Sequence, residues 1–173
     1  SHSGGAKRTQ QECASCHHRS IVAPAGVFLA PPGTAAIIDT GVLGLNMIVQ
    51  SLDGNWELHK CGSDEVVSAR VPGCVHLDLM RAGVIEDPFR GMIEKEVSWV
   101  HECDWTYSRT FKVDDRLLDC DLACLECDGL DTFAQVSLNG QSLGSASNMY
   151  VQHCFNVRDV LTSGDNSVEI RFT

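Results

Sequence analysis

The sequence predicts an all-β fold, an antiparallel sandwich with one short helix, and three observations carry that expectation. Trp105, Tyr107, Arg109, Phe111 and Val113 alternate with Thr106, Ser108, Thr110 and Lys112, the period of two of a half-buried strand. Ala134, Val136 and Leu138 alternate likewise and run into Asn139-Gly140, the strongest two-residue hairpin signal. Strand-like runs then recur roughly every ten residues, with turn residues between them, as a sandwich requires.

Each element follows from its own residues. Gly54 to His59 sets Trp56 and Leu58 on one face of a first strand. Val-Pro-Gly at 71–73 leads into a short helical piece from Val75 to Ala82, closed by Gly83, with an Asp87-Pro88 turn beyond it. Leu122 to Cys127 is a mostly apolar run suited to a buried strand, and Leu143 continues the pattern across the Asn-Gly turn. A strand over His153 to Val157, a turn at Gly164-Asp165-Asn166 and the alternation of Val168, Ile170 and Phe172 complete the series. Trp56, Trp105, Tyr107 and Phe111 read as core, because they fall on strand faces. Trp99 is the exception, for it sits in a loop.

The first 48 residues differ in character. Ser1 to Ser20 is polar and aperiodic, and Ile21 to Gln50 is apolar but broken by Pro24, Pro31 and Pro32. Its apolar runs fall short of the roughly 20 residues a spanning helix needs, and as a secretory signal it starts late and carries too many prolines. Residues 1–48 are therefore read as a poorly ordered or non-native leader, and 49–173 as the sandwich.

Composition narrows the partners. With 13 basic and 23 acidic residues the chain carries a net charge of −10, which argues against nucleic acid and against an anionic membrane surface. The leader sums to +1, from Lys7, Arg8 and Arg19 against Glu12 and Asp39, so the remainder holds −11. No N-x-S/T acceptor occurs, which leans against a glycosylated, secreted protein.

Three groups of residues invite chemical readings. Cys13-Ala-Ser-Cys16-His17 matches the C-x-x-C-H pattern of haem attachment, but a leader rich in Gly, Pro and Ser offers no apolar helical pocket, and with His18 four ligands within six residues cannot surround one metal ion. Cys120, Cys124 and Cys127 have a spacing known from iron–sulfur sites. On a strand 120 and 124 would share one face and 127 the other, so they read as buried small hydrophobes. Nine cysteines is an odd count, and their spacings set out no disulfide framework. The acidic set Asp78, Glu86, Asp87, Glu94, Glu96, Glu102 and Asp104 reads as solvated charge rather than a catalytic pair. No metal and no cofactor is expected.

One stretch resembles a known family. VPG-C-VH-x-DL-x-x-x-G-x-I-x-DPF from Val71 to Phe89, followed by Glu94, Trp99-Val100 and DW-x-Y-x-R-x-F from Asp104 to Phe111, is similar to the amino-terminal domain of β-mannosidases of glycoside hydrolase family 2. The likeness continues through Asp128 to Tyr150 and the closing GDNSVEIRF, and covers roughly Ser51 to Thr173. It implies a galactose-binding-domain-like jelly roll. It further implies a retaining exo-glycosidase acting on terminal non-reducing β-D-mannose, with both catalytic glutamates in a barrel outside this chain. On that reading the domain scaffolds the barrel, is inactive alone, and lines the pocket with Arg90, Glu94 and Trp99. The partners implied are a β-mannoside oligosaccharide and the enzyme's own catalytic barrel. Where the family holds an Asn-Glu pair after DPF this sequence has Ile93-Glu94, which removes an amide from that loop. A free-standing carbohydrate-binding module is the alternative. Lysosomal or secreted placement follows from the animal relatives, and cytoplasmic placement from the missing signal and acceptor sites.

Overall fold

A computed structural model of the chain describes residues 48–87 and 96–173. The expectations for the leader, its Cys13/Cys16/His17 cluster, the Pro88 side of the turn, Arg90 and Glu94 all lie outside the described residues. Within them, eight strands form an antiparallel sandwich. They are β1 (Gly54–Lys60), β2 (Val66–Val71), β3 (Trp105–Lys112), β4 (Cys124–Cys127), β5 (Ala134–Leu138), β6 (Gln141–Ala146), β7 (His153–Asn156) and β8 (Asp165–Phe172), with helix α1 (Val75–Arg81) after β2.

The larger sheet runs β2-β1-β3-β8-β5-β6, and β4 pairs with β7 as a second, two-stranded layer. The alternation read from the sequence sets the register. Trp105 faces Phe172, Tyr107 faces Ile170, and Leu138 faces Val168 across the three central strands. Their inward side chains join Trp56 and Leu58 of β1, Leu125 and Cys127 of β4 and Phe155 of β7 in one core cluster. The Tyr107 and Phe172 rings meet edge to face with centroids 6.0 Å apart. Buried ring nitrogens find carbonyls: Trp56 Nε1 donates to Leu52 O at 2.7 Å and Trp105 Nε1 to Val100 O at 2.8 Å. The Leu52 carbonyl also accepts from Arg109 Nη1 at 2.6 Å, which explains why a charged residue shares the inward parity of β3.

The Asn139-Gly140 turn closes β5 onto β6 with φ of 51° and 76°, the paired positive angles of a hairpin turn whose twist matches its strands. Asn139 does more than turn the chain. Its side-chain amide donates to Val160 O and Asn166 Oδ1, both at 2.8 Å, and its oxygen accepts from Ser167 N at 2.9 Å.

The structure corrects three expectations. Val66–Val71 is an additional edge strand, and the return strand after the hairpin extends from Gln141 to Ala146. β4 begins at Cys124 rather than Leu122, so Cys120 is not on it; its thiol donates to Arg116 O at 3.3 Å beside a 3-10 turn. Face sharing between Cys120 and Cys124 therefore does not occur, although Cys120, Cys124 and Cys127 are all buried.

Candidate functional site

Of the three residues expected at a sugar site, Trp99 is within the described residues. It lies on a 3-10 turn (Ser98–Val100) immediately before β3, half-buried against the core. Its ring packs at 42° on Trp105 with centroids 6.0 Å apart, and the Lys60 ammonium stands 5.1 Å from its centroid. Antiparallel pairing of Lys60 with Trp105 places the cation there. Trp99 is thus held between a tryptophan and a lysine at the end of the sheet where β1 leaves and β3 enters.

The acidic set separates by environment. Glu86, Glu96 and Glu102 are exposed and Asp104 accepts from Arg171 Nη2 at 2.8 Å. Asp78 departs from the expectation of a solvated charge, for its side chain is 0% exposed. Helix α1 points it inward, where Oδ2 accepts from Tyr107 Oη at 2.9 Å. Its Oδ1 accepts from Arg70 N at 3.1 Å and Arg81 Nη1 at 2.9 Å. Burial raises its pKa above the ordinary aspartate value, against the lowering effect of those donors. One carboxylate therefore ties α1 to the end of β2 and the middle of β3. Its role is to hold the helix on the sheet.

Sequence reasoning passed over the most unusual group in the described molecule. Glu126, the single carboxylate of β4, is 0% exposed, and neither of its oxygens meets a donor. Desolvation, then the Asp128 charge, pushes its pKa up to about 8. The signal was present: one glutamate inside the apolar run Leu122–Cys127 has nowhere on a buried strand to reach water. A pH dependence follows. A carboxyl with a raised folded pKa favours the fold fully below its unfolded value near 4.5, and this contribution is lost as pH climbs through about 8. A tenfold change in a protonation equilibrium corresponds to about 1.4 kcal/mol. Thermal unfolding of Glu126→Gln is therefore expected to match wild type near pH 4.5 and to exceed it by about 1–2 kcal/mol at pH 8.5, once the shift is discounted for solvent screening. Parallel pH–stability curves would contradict this.

A shallow groove crosses the outer face of β2, β1 and β3, lined by Asn55, Glu57, Ser68, Ser108 and Thr110 and by the exposed Val66. The aromatic ring that borders it, Trp56, is 3% exposed. Large exposed rings occur instead at Phe133 and Tyr150, in the loops before β5 and before β7.

Comparison with known proteins gives a consistent result. The family model described as "Glycosyl hydrolase 2 galactose-binding domain-like" matches residues 56–173. A probable β-mannosidase of Caenorhabditis elegans is 36% identical over 132 residues, which are 75% of this chain and 14% of the relative. A β-mannosidase B of Thermothelomyces thermophilus is 38% identical over 128 residues, 72% of this chain and 15% of the relative. Among solved structures, β-D-mannosidase from Dictyoglomus thermophilum superposes with a TM-score of 0.69 at 45% identity, over 70% of this chain and 15% of that one. A β-D-glucuronidase from the same organism, 14% identical with a TM-score of 0.53, shares the fold. The chain spans about one seventh of the relatives it matches. From residue 56 onward, this is a member of the glycosyl hydrolase 2 galactose-binding domain-like family.

Proposed function

We propose that the chain is the amino-terminal, non-catalytic domain of a β-mannosidase, a retaining exo-glycosidase that removes terminal non-reducing β-D-mannose. The observation that carries this reading is the match to β-mannosidases over 128–132 residues, which are only 14–15% of their length. Three of the described carboxylates, Asp78, Asp104 and Asp114, are each engaged with an arginine inside the domain. The domain's work is to scaffold the catalytic barrel and to bring Arg90, Glu94 and Trp99 to the pocket rim, where the substrate is a β-mannoside oligosaccharide. A stacking role for that groove in a free-standing module is disfavoured, because its bordering ring, Trp56, is buried.

The test is a p-nitrophenyl β-mannoside assay on this chain and on the longer polypeptide. The chain alone is expected to give no hydrolysis and the longer polypeptide to turn the substrate over. Trp99→Ala in the latter is expected to raise KM several-fold with a smaller change in kcat. Turnover by the 173-residue chain, or an unchanged KM in the variant, would contradict the reading.

A further inference from the structure

We propose that the outer face of the β4–β7 pair, centred on Glu126, receives a basic side chain, arginine by preference, from another part of the longer polypeptide. The occupant rests on the reading that this is one domain of such a polypeptide. Leu125 and Cys127 of β4 face the core cluster, so Cys124 and Glu126 face away from it. Glu126 is nevertheless wholly buried, with two orphan carboxylate oxygens, while Cys154 directly opposite on β7 is exposed. Glu126 is thus a buried carboxylate whose cross-strand neighbour is exposed. Its neighbours deepen the deficit. Asp128 is a like charge to Glu126 and also to Asp53, whose Oδ1 is a third buried oxygen without a donor.

No donor among the described residues reaches either oxygen of Glu126, although Arg109 acts on Asp53. Arg81, Arg116 and Arg171 are held by carboxylates, Arg109 and Arg158 donate to backbone carbonyls, and Lys60 sits over Trp99. Leaving a buried carboxylate unpaired is costly, and one incoming charge-assisted pair removes that cost. A guanidinium suits the site better than a metal ion. Its planar fork bonds both oxygens of one carboxylate, whereas no three His, Cys, Asp or Glu among the described residues are spaced to hold a metal.

The register allows the cation to be supplied within the chain. Cys154→Arg sets a guanidinium opposite Glu126 on the same face. Thermal unfolding at pH 8.5 is compared for Cys154→Arg and Cys154→Ser, each with and without Glu126→Gln. The expected result is a Tm several degrees higher for the arginine than for the serine variant, with the gain abolished by Glu126→Gln. A gain independent of Glu126, or none, would overturn the proposal. Should the arginine variant not fold, titration of the unmodified chain and of Glu126→Gln with arginine amide reads the same dependence. Calcium chloride at matched ionic strength is run beside it, and a Glu126-dependent stabilisation by calcium alone would assign the site to a metal and likewise overturn it. These readouts use only this chain, so they fail or succeed apart from the native mass that tests the functional reading.

Discussion

Asp78→Ala is expected to lower the stability of the sandwich by about 3–5 kcal/mol, the range for breaking a buried, paired charge. The substitution strips the Tyr107 hydroxyl and the Arg70 amide of their acceptor, and Tyr107 is 4% exposed, so water cannot easily replace it. Arg81 loses less, being half exposed at 53%. Asp78→Asn keeps the shape and an acceptor oxygen, so it is expected to recover part of the loss. Chemical denaturation of the three proteins checks this. Alanine and wild type unfolding within about 1 kcal/mol of each other would show that α1 is held by something other than its carboxylate.

The second large effect belongs to Gly73. A Cβ built there would lie 2.2 Å from the backbone oxygen of Arg70, far inside van der Waals contact. The obstacle is backbone, so no side-chain rotation relieves it. Gly73→Ala must push the 70–73 turn apart, at an expected cost of about 3 kcal/mol or more. That turn presents the Arg70 amide to Asp78, so the two substitutions strike one device. Their combined loss is expected to fall well short of the sum of the single losses, as a double-mutant cycle by denaturation would read. Additive losses would mean that the turn and the carboxylate are independent.

These two residues also mark the limit of what the sequence disclosed. The strands with regular alternation were legible because one face of each is buried: β1, β3, β5 and β8 fall where Trp56, Trp105, Val136 and Ile170 placed them. The hairpin was legible because Asn139 and Gly140 tolerate positive φ. β2 was not, since it is an edge strand whose run opens on an exposed Val66 and buries only Ala69 and Val71. Asp78 looked like solvated charge because, beside the local bond from Arg81, its partner Tyr107 lies 29 residues away and its third bond comes from a backbone amide, that of Arg70. Sequence spacing carries no trace of either. Of the three expected rim residues, Trp99 has a described position, set by its packing on Trp105; Arg90 and Glu94 lie outside the described residues.

The central claim is that this chain is one domain of a much longer glycosidase, and the mass of the native protein tests it most directly. In the goat β-mannosidase, 122 matched residues make up 14% of the length, which sets such a protein at about 870 residues. At this chain's mean residue mass, 18.8 kDa over 173 residues, that corresponds to about 95 kDa. An antibody raised against residues 51–173 is expected to detect a band near that mass in the source cells. A native band at 18.8 kDa would contradict the account.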